Sequence, residues 1–188
     1  MNAAHLEFCA SPDWRQLVEE IVLPAALADV DLGDDVIEVG PGPGFTTDVL
    51  RTRADRLTAV EIDPALAAAL AERLAGTNVA VIEGDATALD LPSDRFTGAT
   101  SFNMLHHVPT DEAQNRIFAE LARVLRPGGV FVASDADSPQ DLSGFHAGDT
   151  YHPVLPDDLG ARLAVVGFSD VDVGGYDLGW ICSARVPD

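Results

Sequence analysis

Apolar positions along the chain alternate between two periods. Residues 14–30 carry Leu17, Ile21 and Leu27 at helical spacing, with Pro24 interrupting. A short, mainly apolar run at 36–39 reads as a strand, and 45–53 as a helix. Residues 57–62 read as a strand and 65–75 as a helix, where Leu66, Leu70 and Leu74 share one face. Strands follow at 79–83 and 96–102. A helix over 111–126 is stopped by Pro127, Gly128 and Gly129 before a strand at 130–134. Residues 135–156, rich in Asp, Ser, Gly and Pro, read as a long loop. A helix at 159–166 precedes strands near 170–173 and 180–185.

Strand and helix thus alternate, which calls for an α/β fold: a doubly wound, mostly parallel seven-stranded sheet with helices on both faces. Only Gly174, Gly175, Tyr176 and Asp177 separate the last two strands, too few for a crossover, so they form an antiparallel hairpin at one edge. Neither an internal repeat nor a composition break divides the chain, and one domain over 1–188 is expected. Within it, 1–33 form an N-terminal helix or lid, 34–134 the core, 135–158 a substrate loop, and 159–188 the last helix and hairpin.

Composition narrows the function. Eleven basic residues stand against 31 acidic ones, a net charge of −20, and all eleven are arginine. Without lysine there is neither a Walker-type phosphate loop nor a Schiff-base amine. The acidity argues against nucleic acid as a partner, because such binding rests on neutralised phosphates. No apolar run approaches the ~20 residues of a membrane helix, so no membrane partner is expected. The first residues lack the basic and apolar regions of a signal peptide, and Cys9 and Cys182 form no disulfide framework. The expected location is cytoplasmic.

Candidate chemistry gathers at strand ends. The stretch VIEVGPGPGFT at 36–46 ends a strand in Gly40, Gly42 and Gly44, with prolines in both gaps. In an open α/β sheet such a loop lies at the carboxyl ends of the strands, where ligands bind. The spacing G-x-G-x-G differs from the dinucleotide fingerprint G-x-G-x-x-G. Glu61 ends the next strand, 21 residues after Gly40, where a carboxylate can accept from both hydroxyls of a ribose. EGDA at 83–86 ends the third strand, and its Asp85 can accept from an adenine amine. SFNMLHHVP at 101–109 ends the fourth, and LRPGGVFV at 125–132 leads into the fifth.

These five ordered elements resemble the motifs of class I S-adenosylmethionine-dependent methyltransferases, particularly the small-molecule branch with LHHV after the fourth strand. The resemblance covers about 34–134 and agrees with the terminal hairpin. It implies a Rossmann-like methyltransferase fold, S-adenosyl-L-methionine as cofactor and S-adenosyl-L-homocysteine as product. Carried over residue by residue, Glu38, Gly40, Pro41, Gly42 and Gly44 would hold the methionine part. Glu61 would take the ribose hydroxyls, and Ile62 would pack against the adenine. Asp85 and the Ala86 backbone would read the adenine edge, and the Asn103 carbonyl would meet the cofactor's amino group. The glycine loop is also similar to that of rRNA adenine dimethylases. Those carry N-x-P-[YF] after the fourth strand, where this chain has Asn103, Met104, Leu105 and His106, so a small-molecule acceptor is expected and nucleic acid is not.

A sulfonium is already an activated methyl donor, so transfer needs mainly alignment of nucleophile, methyl carbon and sulfur. His106 and His107 are the candidate catalytic residues, either as a base near neutral pH or as a pair that packs the cofactor's methionine end. The packing role is the expectation. His106, His107, His146, His152 and Asp135 show no pair at short ligand spacing on one element, so no metal is expected. Phe145, His146, Tyr151 and His152 in the long loop, with Phe8 and Trp14 near the start, are placed to close over the cofactor. Two other functions use the same sheet: a cofactor-binding partner or sensor without turnover, and a dinucleotide-dependent oxidoreductase.

Overall fold

The computed structural model describes residues 2–136 and 146–188, and Phe145 of the expected substrate loop lies outside these. Seven strands form one sheet in the order β3-β2-β1-β4-β5-β7-β6. They are β1 (Asp35–Val39), β2 (Arg56–Glu61), β3 (Val79–Glu83), β4 (Phe96–Phe102), β5 (Leu125–Asp135), β6 (Ser169–Tyr176) and β7 (Gly179–Arg185). The first five are parallel; β7 runs antiparallel between β5 and β6. The fold is the expected one.

Successive strand residues point to opposite faces, and two cores result. Ile37, Val39, Ala99, Phe131 and Ala133 face one side, where they meet α6 (Asp111–Val124) and α7 (Pro156–Val165). Val36, Leu57, Val130 and Val132 face the other, against Leu50 of α4 (Phe45–Leu50) and the N-terminal helices. Leu70 of α5 (Pro64–Arg73) packs with Leu74 on Ala59 of β2. With both faces covered, β1 is buried at every position, which is why its pattern is continuous rather than alternating.

Three elements differ from the expectation. After a first helix α1 (Ala3–Cys9), one helix over 14–30 is replaced by α2 (Pro12–Leu17), a π-helical turn (Val18–Val22) and α3 (Leu23–Ala26). Pro24 explains the π turn: it has no N–H to give and its ring crowds the preceding turn, so the helix widens. The Leu23 N–H reaches back to the Val18 carbonyl. Secondly, β5 begins at Leu125. Leu125 pairs with Phe96 and Val130 with Gly98, so residues 126–129 lie opposite Thr97 alone, with Gly128 at φ +72°. Proline and glycines therefore bulge a strand already begun instead of preceding it. Thirdly, Gly174, Gly175 and Tyr176 belong to β6, and the hairpin turns on Asp177 and Leu178.

Among the described residues no helix is long and apolar enough to cross a membrane.

Candidate functional site

Glu38 closes the floor of the glycine loop. Buried at the end of β1, its carboxylate accepts from the Thr46 hydroxyl and, at 2.6 Å, from the Thr47 hydroxyl, tying α4 to the strand. Burial pushes its pKa up to about 7 against the two threonine hydrogen bonds, with the negative charges of Asp48 and Glu61 adding to the rise.

Above Glu38 the chain turns through Gly40, Gly42 and Gly44, all at positive φ. A Cβ on Gly40 would overlap the Met104 side chain, so that glycine lets the loop approach the segment after β4. Arg73 holds the loop from outside, donating to the carbonyls of Pro43 (3.1 Å) and Gly44 (3.2 Å) and to Asp48 (2.7 Å). Neither Met104 nor Arg73 was legible as part of the site, since each acts from another element.

Glu61 is the hinge of the arrangement. Its side chain, 5% exposed, accepts from the Gly42 N–H on one oxygen and the Asp63 N–H on the other, both at 2.9 Å. Each oxygen keeps acceptor capacity for a further donor. Beside it a cavity of about 650 Å³ opens at the carboxyl ends of β1 and β4.

Gly40, Pro41, Gly42, Glu61 and Ile62 line this cavity, as do Asp85, Ala86, Asn103 and His107. Glu38 and His106 are both buried and lie behind the lining, and Gly44 also stands outside it. The Asp85 carboxylate accepts from the Thr87 N–H at 2.8 Å. Ile62 is 67% exposed, a large apolar side chain left open beside Glu61. Asn103 sits at φ +51°, uncommon outside glycine, and its buried amide nitrogen has no hydrogen-bond partner. The N-terminal segment supplies the opposite wall through Cys9, Trp14 and Val18, with the Phe8 ring 5.5 Å from Trp14. Burial pushes the Cys9 thiol up to about 11, so it stays protonated and is no nucleophile near neutral pH.

His106 and His107 form a short 3-10 turn (Leu105–His107). His106 hangs from Asp135: its backbone N–H donates to one carboxylate oxygen at 3.0 Å, and its Nδ1 meets the other. His5 of α1 and His146 pack against the pair, with ring centroids 4.8 Å apart for His5 and His107 and 4.4 Å for His5 and His146. Burial, then the neighbouring imidazoles, lowers His5 to about 4 and His107 to about 3. Both are neutral at pH 7. His152 stands apart, its Nε2 2.8 Å from Asp111.

A model of the methyltransferase domain matches residues 37–133. Over 98 residues the chain is 43% identical to a probable ribosomal RNA small subunit methyltransferase A of Haloarcula marismortui. That stretch covers 47% of this chain and 33% of the relative, so the chain spans about a third of that protein's length. Among solved structures, an S-adenosylmethionine-dependent methyltransferase from Mesorhizobium loti superposes with a TM-score of 0.75 at 19% identity, covering 89% of this chain and 99% of the other. A SAM-dependent methyltransferase from Aquifex aeolicus does so with 0.74 at 16% identity, covering 98% and 97%.

The exclusion of nucleic acid is corrected by the relatives named ribosomal RNA small subunit methyltransferase A, a name that points to an RNA substrate in those proteins. Net charge is a sum over the whole surface, whereas acceptor choice is made by a few groups around one cavity. The value of −20 therefore does not exclude RNA.

The residues present fit S-adenosylmethionine. A buried carboxylate with spare acceptor capacity, an exposed isoleucine beside it, an unpartnered amide at Asn103 and a side-chain-free loop at Gly40 surround one cavity of matching scale. The chain belongs to the methyltransferase-domain family, with the class I fold and S-adenosylmethionine as its cofactor.

Proposed function

We propose that the chain transfers the methyl group of S-adenosylmethionine to a small-molecule acceptor, by alignment rather than with a side-chain base. One observation carries this reading: the cofactor-type residues and the N-terminal residues Cys9, Trp14 and Val18 share a single cavity. In this reading Glu61 accepts the ribose hydroxyls, Ile62 packs on the adenine, and Asp85 with the Ala86 backbone meets its edge. Gly40, Pro41 and Gly42 let the backbone approach the methionine part, Gly44 lets the loop close on Leu70 and Arg73 of α5, and Asn103 faces the amino group. The bound group supplies an activated methyl; the chain supplies position and a wall against water. His106 and His107 support that wall, His107 as a neutral imidazole lining the cavity and His106 from behind it.

A second reading, an RNA acceptor, is favoured by the names of the relatives. Calorimetry with S-adenosylhomocysteine and with NAD, followed by transfer of labelled methyl to a metabolite pool and to small-subunit rRNA, separates the readings. Homocysteine-form binding with label in the metabolite fraction is expected. Label in RNA replaces the acceptor class. NAD binding in place of S-adenosylhomocysteine removes methyl transfer altogether, and binding without turnover on either acceptor leaves a sensor.

Glu38 adds a pH dependence. Its pKa in the folded protein, about 7, lies above the usual 4.5, so between these values the native state holds a proton the unfolded chain has lost. Its stabilising share is therefore present at low pH and lost as pH rises through about 7. A cationic cofactor above it favours the ionised form, so binding expels that proton. S-adenosylmethionine affinity is expected to rise by up to about tenfold per pH unit below 7 and to level off above. Glu38→Gln flattens the profile; an unchanged slope in the folded variant would assign the dependence to another group.

A further inference from the structure

Four histidines from three separate parts of the chain converge beside the cofactor cavity. His5 comes from α1, His106 and His107 from the turn after β4, and His146 from the segment before α7. One ring nitrogen from each lies within 4.8 Å of those of the other three. His5, His106 and His146 are buried, and His107 is half-buried. Packing four imidazoles together brings no apolar gain that four aliphatic side chains would not exceed, so the convergence points to a ligand.

We propose that these four imidazoles bind one divalent transition-metal ion. His106 carries the clearest sign. Its Nδ1 is engaged by Asp135, a wholly buried carboxylate, which leaves Nε2 for the cluster, and that buried Nε2 has no hydrogen-bond partner. A carboxylate on the far nitrogen of a histidine is the arrangement that fixes the tautomer and orientation of a metal ligand. The Nδ1 of His107 is likewise buried without a hydrogen bond.

Charge balance favours a dication. Imidazole as a metal ligand brings no charge, and an isolated M²⁺ in a buried site needs compensation. Asp135 stands behind His106, and Asp149 lies 3.7 Å from the His5 Nδ1 while accepting from the Asn2 N–H at 2.8 Å. Imidazole donors suit Zn²⁺, Co²⁺, Ni²⁺ or Cu²⁺, and disfavour Mg²⁺ and Ca²⁺, which take oxygen. Ligands at ~2.0–2.1 Å around a tetrahedral ion would stand about 3.3 Å apart, so the cluster closes by roughly an ångström on loading.

Four protein ligands leave no open position, the mark of a structural rather than a Lewis-acid ion. Its consequence here is mechanical. The ion clips α1, which brings Cys9 to the cavity, onto the turn that brings His107 to it. Metal loading thereby fixes the N-terminal wall of the cofactor cavity.

The test is titration of the metal-stripped full chain with Co²⁺, whose tetrahedral complexes absorb visibly, with competition by Zn²⁺ and Mg²⁺. One equivalent is expected, displaced by Zn²⁺ and indifferent to Mg²⁺, with a rise in Tm. His5→Ala, on α1 and clear of the sheet, should abolish the spectrum while the chain stays folded by circular dichroism. Asp135→Asn should weaken affinity 10–100-fold, as removal of outer-shell partners does. Should His106→Ala fail to fold, His5→Ala decides. No stoichiometric Co²⁺ or Zn²⁺ binding by the unaltered chain, or binding that survives His5→Ala unchanged, overturns the proposal.

Discussion

Glu61→Ala is expected to weaken S-adenosylmethionine binding by about 10²-fold with the fold intact, as read by calorimetry and thermal melting. The proposed ribose contacts are charge-assisted hydrogen bonds of ~1.5–3 kcal/mol each. Glu61 also organises what surrounds it, since the Gly42 and Asp63 N–H groups both end on its carboxylate. Alanine leaves these donors to water and loosens the glycine loop as well as the ribose site. Glutamine is no rescue: each oxygen already faces an N–H, so its amide NH₂ would set donor against donor. Glu61→Gln should therefore lie closer to alanine than to the parent. Full affinity in a folded Glu61→Ala variant would remove this residue from the cofactor site.

Gly179→Ala should cause the largest loss of stability, about 4 kcal/mol, seen as a fall in Tm of roughly 10 °C for a chain of this size. Gly179 has φ +144°, a region costing a side chain ~1–3 kcal/mol. An added Cβ there would overlap the backbone carbonyl of Asp135, which cannot swing aside, and overpacking adds ~1–3 kcal/mol. Next to it, Trp180 is wholly buried and donates its indole N–H to the Val154 carbonyl at 2.9 Å, so displacement spreads into the core. Gly174→Ala is the control. Its Cβ would meet only the Ile181 Cγ1 at 3.9 Å, and the change should stay within about 0.5 kcal/mol, as surface substitutions do. Equal losses at both positions would show that hairpin glycines in general, not this contact, set the stability.

The sheet was legible because its central strands are short apolar runs between turn signals, and a run buried on both faces needs no partner to be recognised. The cavity followed from the same local pattern, since Gly40, Glu61, Asp85 and Asn103 each close a strand. What escaped the sequence is whatever depends on distant segments meeting. His5 has no local feature to mark it; only the docking of α1 beside the 3-10 turn brings it to His106 and His107. For the same reason His152, close to His146 in the chain and grouped with it on that ground, pairs with Asp111 instead. The π turn at Val18–Val22 was masked because apolar residues keep helical spacing through it while Pro24 widens the backbone. The exclusion of RNA failed differently: it drew a local conclusion from a global sum.

The place of β7 sets an order on synthesis. Because β7 lies between β5 and β6, the outer strand touches the sheet only through one made after it. β5 ends at Asp135 and β7 at Arg185. At ~5–20 residues per second, roughly 2.5–10 s pass between them on the ribosome. Through that interval β5 presents an unpaired hydrogen-bonding edge, the template on which strands of other chains can add. The nascent chain is thus at its most vulnerable once its first five strands have been made, and the emergence of β7 ends the hazard.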